Sequence, residues 1–204
     1  MKERPLILIS CHQNQYADVE YGNGTLQTSG CGITCAAMVI SAYTGQQVTP
    51  DMLASQIEWD GNDTTLNRAL NAYGIKNANN NFLVASPNSK YEYIDDGLTE
   101  IGKNAIYYDE VKQKISEGYV AIFQMNDGVF TDGSHFVLVT GLTEDGNFII
   151  QDPNGNNYVP TGSTDSQILQ NGFENGFTDD DIRGSWSGCY LIEPYEDYVV
   201  RNAN

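Results

Sequence analysis

Cys31 sits in Ser29-Gly30-Cys31-Gly32, directly in front of an apolar stretch with helical spacing. A thiol at a helix start faces unpaired backbone N–H groups and the positive end of the macrodipole, which favour an anion. That placement lowers the thiol pKa, and the thiolate is both the better nucleophile and the form that calls for a cationic partner. Glycine on either side would leave room for a substrate backbone to approach. The cation must be a histidine, and the chain has two, His12 and His135. His135 opens a strand-like run after the loop Asp127–Ser134, which reads as flexible, and an imidazole at a strand end can reach a helix start across a cleft.

A carboxylate can be assigned by register. The run from His135 is followed by the turn signal Thr143-Glu144-Asp145-Gly146 and then by Phe148–Gln151, so the two runs make a hairpin. With a loop of two or four residues, Asp152 falls opposite an odd-numbered residue, Val139 or Val137. Odd positions share a face with His135. A carboxylate one strand over can accept from one imidazole nitrogen and support the imidazolium, completing a nucleophile, base and orienter set.

Each element alone has an ordinary structural explanation. A buried Cys at a helix start and a His at a strand start are more often packing residues, and Asp152-Pro153-Asn154-Gly155 is a common turn. The coincidence of all three argues for chemistry. Cys35, one turn along the same helix, is expected to be structural, as are Cys11 and Cys189. No metal or cofactor is expected. The close pair Cys31 and Cys35 lacks further ligands at zinc spacing, and Asp152-x-Asn154-x-Asn156 continues with Asn157 and Ser163 where a calcium loop needs Gly and Glu.

The positioning elements follow from periodicity. Ile33, Ala36, Ala37, Ile40 and Tyr43 recur at three and four and predict a buried helix over Cys31–Tyr43, stopped by Gly45. Thr49-Pro50-Asp51 opens a second helix to about Glu58, Asp63 or Thr64 caps a third ending at Gly74, and Tyr108–Glu117 is a fourth. The stretch from Ala85 to Asn104 reads as loop. Strands are expected at Tyr119–Met125, His135–Leu142, Phe148–Gln151 and Cys189–Ile192, with a first buried strand at Leu6–Ile9. The class is α+β, with helices first and an antiparallel sheet second, in one domain spanning residues 1–204. Phe173, Phe177, Trp186 and Tyr190 in the final fifty residues are expected in the core.

Composition limits the partners. With 10 Lys+Arg against 27 Asp+Glu in 204 residues the formal charge is −17, so nucleic acid and anionic lipid would be repelled. The 40% hydrophobic and 11% aromatic content is that of a folded globule. No run approaches the roughly 20 apolar residues of a membrane span, and the chain is expected to be soluble. Its compartment stays open: Met1–Ser10 is too short in apolar residues for a signal core, and Leu8-Ile9-Ser10-Cys11 imitates a lipoprotein cleavage box.

The stretch Ser29-Gly30-Cys31-Gly32-Ile33-Thr34-Cys35-Ala36-Ala37-Met38-Val39-Ile40-Ser41-Ala42-Tyr43-Thr44-Gly45, with Val48-Thr49-Pro50, resembles the bacterial C39-like cysteine peptidases, a papain-like family. His135–Gly141 and Phe148–Pro153 are similar to that family's histidine and aspartate segments, in the same order. The resemblance spans Ile9 to Pro153. It implies a papain-like fold and a peptide or protein substrate. By segment, Cys31 would be nucleophile, His135 base and then acid, and Asp152 orienter. It also implies a glutamine upstream that donates to the oxyanion, with Gln13 the first choice, Gln15 second and Gln27 third. Ile33 stands where members often carry Pro, and the approach segment around Gln13 is shortened. The glycine-lined entrance beside Cys31 suggests small residues around the scissile bond, and transporter-linked members imply cleavage after a Gly-Gly pair. An acyltransferase or deamidase on the same frame, or an idle binding or effector module that keeps the fold, are the alternatives.

Overall fold

The computed structural model describes residues 11–59, 62–78, 82–86, 105–155 and 166–194. The strand expected at 6–9 and most of the loop expected at 85–104 lie outside these residues. After a short 3-10 turn at Gln13–Tyr16 come a small ribbon, β1 (Glu20–Tyr21) with β2 (Gly24–Thr25), then α1 (Leu26–Ser29), α2 (Cys31–Thr44), α3 (Pro50–Gln56) and α4 (Asn62–Ala72). The rest alternates: β3 (Leu83–Ser86), β4 (Ala105–Tyr107), α5 (Tyr108–Ser116), β5 (Val120–Met125), β6 (His135–Leu142), β7 (Phe148–Gln151), α6 (Ser166–Asn175), α7 (Asp179–Ile182) and β8 (Trp186–Ile192). The class is α+β, as expected.

Helix α2 is buried along nearly its whole length, which is why its apolar residues are not confined to one stripe. It ends where Gly45 takes φ +68°, a left-handed conformation that glycine adopts without a Cβ penalty. Thr49 occupies the cap position of α3, its hydroxyl donating to the Asp51 carboxylate, and Pro50 is the first helical residue. At its C-terminal end α2 is tied to the sheet by the Tyr43 hydroxyl, which donates to the Glu193 carbonyl at 2.6 Å.

Six strands form one sheet in the order β4-β3-β8-β5-β6-β7. All neighbours are antiparallel except β3 and β4, which run parallel. Those two strands flank the expected loop, β3 taking its first two residues, Ala85 and Ser86: Leu83–Ser86 pairs along β8 and β4, partners far away in sequence. Alternation along the central strands divides the core. Val120, Ile122, Phe136, Leu138, Tyr190 and Ile192 pack with α1–α4 on one face, while Ala121, Phe123, Val137, Val139, Cys189 and Leu191 pack with residues of α5–α7 on the other. Helices therefore cover both faces, and the last fifty residues supply a central strand as well as α6 and α7. Phe177, Trp186 and Tyr190 are buried, and Phe173 packs against Phe177.

The hairpin reaches the expected parity by an unexpected route. Leu142 pairs with Phe148 and Gly141 with Ile149, but Val139 pairs with Ile150 and Leu138 with Gln151, leaving Thr140 as an extra residue on β6. The loop between Leu142 and Phe148 is odd in length, closed by the Thr143 N–H to the Asn147 carbonyl at 2.8 Å. An odd loop by itself would set Asp152 opposite Leu138, on the wrong face. The bulge at Thr140 shifts the register by one and brings Asp152, the first residue past β7, opposite Val137.

The loop before His135 is anchored rather than loose. Asn126 N–H donates to the Ser185 carbonyl at 2.7 Å, Gly128 N–H to the Thr131 carbonyl at 2.8 Å, and Val129 and Phe130 are buried. Phe130 packs on Phe177 with ring centroids 4.9 Å apart. Among the described residues no helix is long and apolar enough to cross a membrane. Phe177 is fully buried against Phe130 and Phe173, so Phe177→Ala should destabilise the fold by about 3–5 kcal/mol. Urea denaturation measures this, and a loss below about 1 kcal/mol would show that the second core does not hold the loop.

Candidate active site

Cys31 is the first residue of α2 and half-buried; His135 is the first residue of β6 and Asp152 the first past β7. The last two are 5% and 4% exposed. Helix α2 packs along β6, bringing its N-terminus to the beginning of that strand, so that the Cys31 thiol and the His135 imidazole stand close enough to shift each other's titration. On its other side the ring meets Asp152, Nε2 to Oδ1, at 2.8 Å. Since Nε2 faces the carboxylate, Nδ1 is the nitrogen left for the sulfur.

The turn that holds Asp152 is built by its own sequence. Gly155 N–H donates to the Asp152 carbonyl at 2.8 Å, and Asn154 N–H donates to Asp152 Oδ1 at 2.8 Å, so one carboxylate oxygen accepts from the backbone and from the ring together. Gly155 has φ +97°, and a Cβ there would meet the His12 ring at 3.1 Å. The N-terminal segment docks on the same turn: Gln13 N–H donates to the Pro153 carbonyl at 2.8 Å and Asn14 Nδ2 to the Asn154 carbonyl at 3.0 Å. His12 thus lies against the Asp152 turn, while His135 is the histidine brought to Cys31.

Electrostatics separate the four thiols, all of which are free. Burial opposes ionisation of Cys31, but the hydrogen bond and charge of His135, with the Phe136 and Gly32 N–H groups, outweigh it and hold this thiol below its usual range. Burial likewise disfavours the His135 imidazolium, yet Asp152 on one side and Cys31 on the other raise its pKa well above the ordinary histidine value. The favoured state is a thiolate beside an imidazolium. Burial pushes the Cys35 thiol far up, with Cys31 and Asp152 adding to it; Cys35 donates to the Phe136 carbonyl at 3.6 Å. Cys189 and Cys11 are raised too, first by burial.

Of the three glutamines, Gln13 is buried and Gln15 and Gln27 are exposed. Gln13 Nε2 donates to the Gln27 carbonyl at 2.7 Å, in the helix just before Cys31, while its Oε1 is buried with no partner among the described residues. An amide nitrogen carries two hydrogens, so one remains to donate. The two glycines beside Cys31 have an internal explanation: a Cβ on Gly30 would meet the Leu26 carbonyl oxygen at 2.3 Å, and one on Gly32 would meet Leu66 at 2.9 Å. Packing around α2 excludes side chains there, so these glycines give no information about the residues at a scissile bond.

Two residues escaped the sequence reading. Tyr21 is buried with its hydroxyl lacking a partner among the described residues; burial raises its pKa, and the Cys31 charge raises it further. Asn154 places its side-chain Nδ2 at 3.4 Å from His135 Nε2. The Asp-Pro-Asn-Gly turn carried a signal for Asn154; nothing short of the fold pointed to Tyr21.

A half-buried thiol heading a buried helix, packed on an α+β sheet beside a histidine, is the arrangement of the papain-like cysteine hydrolases. Residues 11–175 match the model of the Peptidase_C39 like family, and the chain belongs to that family. No curated protein matches the sequence.

Because Cys31 is the only one of the four thiols whose pKa is lowered, iodoacetamide at pH 6 should alkylate it well ahead of Cys11, Cys35 and Cys189. Peptide mapping by mass spectrometry reads the order; equal slow labelling of all four would mean that the sulfur is not activated.

Proposed function

We propose that this protein is a thiol hydrolase that cleaves a peptide or related amide bond through an acyl-enzyme intermediate, with Cys31 as nucleophile, His135 as base and then acid, and Asp152 as orienter. The observation that carries the reading is the buried contact of His135 Nε2 with Asp152 Oδ1 at 2.8 Å, on a ring that also interacts with the Cys31 thiol. In the resting pair the proton already sits on His135. The Cys31 thiolate adds to the substrate carbonyl, and the imidazolium gives its Nδ1 proton to the leaving amine as the C–N bond breaks. Water then attacks the thioester; neutral His135 takes its proton and keeps it as the C–S bond breaks, so the sulfur leaves as thiolate, the acid is released and the thiolate–imidazolium pair is restored. Asp152 keeps Nε2–H in place throughout, so the ring presents the same nitrogen to each step.

The oxyanion would be held by the Cys31 backbone N–H and by the second hydrogen of Gln13 Nε2. What supports Gln13 over Gln15 and Gln27 is its burial and its anchor on the Gln27 carbonyl. The net charge of −17 favours neutral or basic substrates. Residue preference around the scissile bond, whether for small residues or for a Gly-Gly pair, is open to a peptide library read by mass spectrometry.

Cys31→Ala and His135→Ala should each abolish turnover, and activity that survives Cys31→Ala would refute the mechanism. Gln13→Ala should lower kcat by about 10²–10³, as loss of one oxyanion donor does. Repeating the assay with an added amine separates hydrolysis from acyl transfer.

The pH profile has a predictable sign. A lowered thiol pKa moves the acid limb of kcat/KM below the ordinary thiol range, and a raised imidazole pKa moves the alkaline limb above the ordinary histidine range. Asp152→Ala should bring the alkaline limb down; a limb unmoved by that change would remove Asp152 from the mechanism.

A further inference from the structure

We propose that Asn154 is a positioning residue for His135: its side-chain amide and the Asp152 carboxylate together accept the Nε2–H, so that two acceptors aim the ring at Cys31. This rests on the assignment of His135 as the base.

Asn154 is held by its backbone from both directions. Its N–H donates to Asp152 Oδ1 at 2.8 Å, and its carbonyl accepts from Asn14 Nδ2 at 3.0 Å. Pro153, just before it, accepts from Gln13 N–H at 2.8 Å. The turn therefore needs nothing from the Asn154 side chain, which nonetheless lies against the ring, with Nδ2 at 3.4 Å from Nε2. With Nε2–H donating to the carboxylate, a second N–H pointing at the same atom would be repelled. A half-turn of the amide about its last bond replaces Nδ2 by Oδ1, giving the ring proton a second acceptor. A neutral acceptor at this place limits the swing of the imidazole about the Asp152 contact without adding charge to a buried site.

Among the described residues, the ionisable groups that face His135 are Cys31 from α2 and Asp152 from the turn. Cys35, further along α2, interacts with both but is kept protonated by burial. Strand β5 presents Met125 opposite His135, and the N-terminal turn brings Gln13 and Asn14, all uncharged, with His12 against Gly155. An effect of Asn154 on titration of the site would thus act through His135 itself.

The test uses the full chain, with two variants and two readouts: kcat/KM on a peptide substrate and the rate of Cys31 alkylation by iodoacetamide, each against pH. Asn154→Ala should leave KM and the melting temperature close to wild type while lowering kcat/KM by about tenfold, the worth of one hydrogen bond to a charged group. It should also narrow the profile, raising the acid limb in both readouts and lowering the alkaline limb of kcat/KM, because the imidazolium loses an acceptor. Asn154→Asp, an acceptor that cannot donate, should retain activity above the alanine variant and move the alkaline limb up. Rate loss in Asn154→Ala with both limbs where they were, or an aspartate variant no better than alanine, would overturn the proposal. If wild-type Cys31 labels no faster than the other cysteines, the failure lies in the catalytic reading itself.

Discussion

Two groups that water would gladly solvate, the His135 ring and the Asp152 carboxylate, face each other at 2.8 Å with almost no surface exposed. A lone imidazolium at that depth would be driven to lose its proton. The ring is held in its charged form by Asp152, with Cys31 on its other side, and breaking such a buried pair by removing one partner costs about 3–5 kcal/mol. The constraint extends to the sulfur. A thiolate beside an imidazolium beside a carboxylate alternates in sign, so the middle group is stabilised from both sides and the terminal ones share a single cation.

The four cysteines show how local this control is. All carry the same thiol in a chain whose net charge of −17 disfavours any further anion. Cys189, Cys35 and Cys11 are all buried where Cys31 is half-buried, and burial first, with nearby anions adding to it, drives each toward the neutral form. Only the first residue of α2 combines a cation with backbone donors from Phe136 and Gly32. Four residues further along, at Cys35, the neighbour is a carbonyl, which asks for the proton instead of replacing it.

Much of this was legible before any coordinates, for identifiable reasons. Helix α2 and strands β6 and β7 have strong periodicities and clear stop signals, so Cys31, His135 and Asp152 could be put at the ends of elements. The common face of His135 and Asp152 followed from parity, but through two departures that cancel: an odd hairpin loop and the bulge at Thr140. A sequence does not announce a bulge, since the extra residue is selected by long-range packing. The same limit explains the other misses. Pairing of β3 with β4 and β8 depends on partners far away in the chain, the loop before His135 is anchored by Phe177 and Ser185, and the glycines beside Cys31 answer to Leu26 and Leu66. The Asp152 turn was readable as a turn; that its Asn154 side chain touches the ring was not.

Those long-range dependencies have a consequence for how the site holds together. Its parts come from the N-terminal turn, the start of α2, the start of β6 and the turn after β7. The first and last of these are joined directly, Gln13 to Pro153 and Asn14 to Asn154. None of these segments can take up its geometry alone: a four-residue 3-10 turn and an Asp-Pro-Asn-Gly turn have too few internal hydrogen bonds to resist fraying. Each is held by the other and by the sheet behind them. The proposed oxyanion donor and the proposed orienter are therefore not independent additions to a preformed thiol–imidazole pair. A displacement of the Asp152 turn pulls on the Gln13 backbone, and a displacement of the N-terminal turn pulls on the carboxylate, so order at either end of the reacting centre requires order at the other.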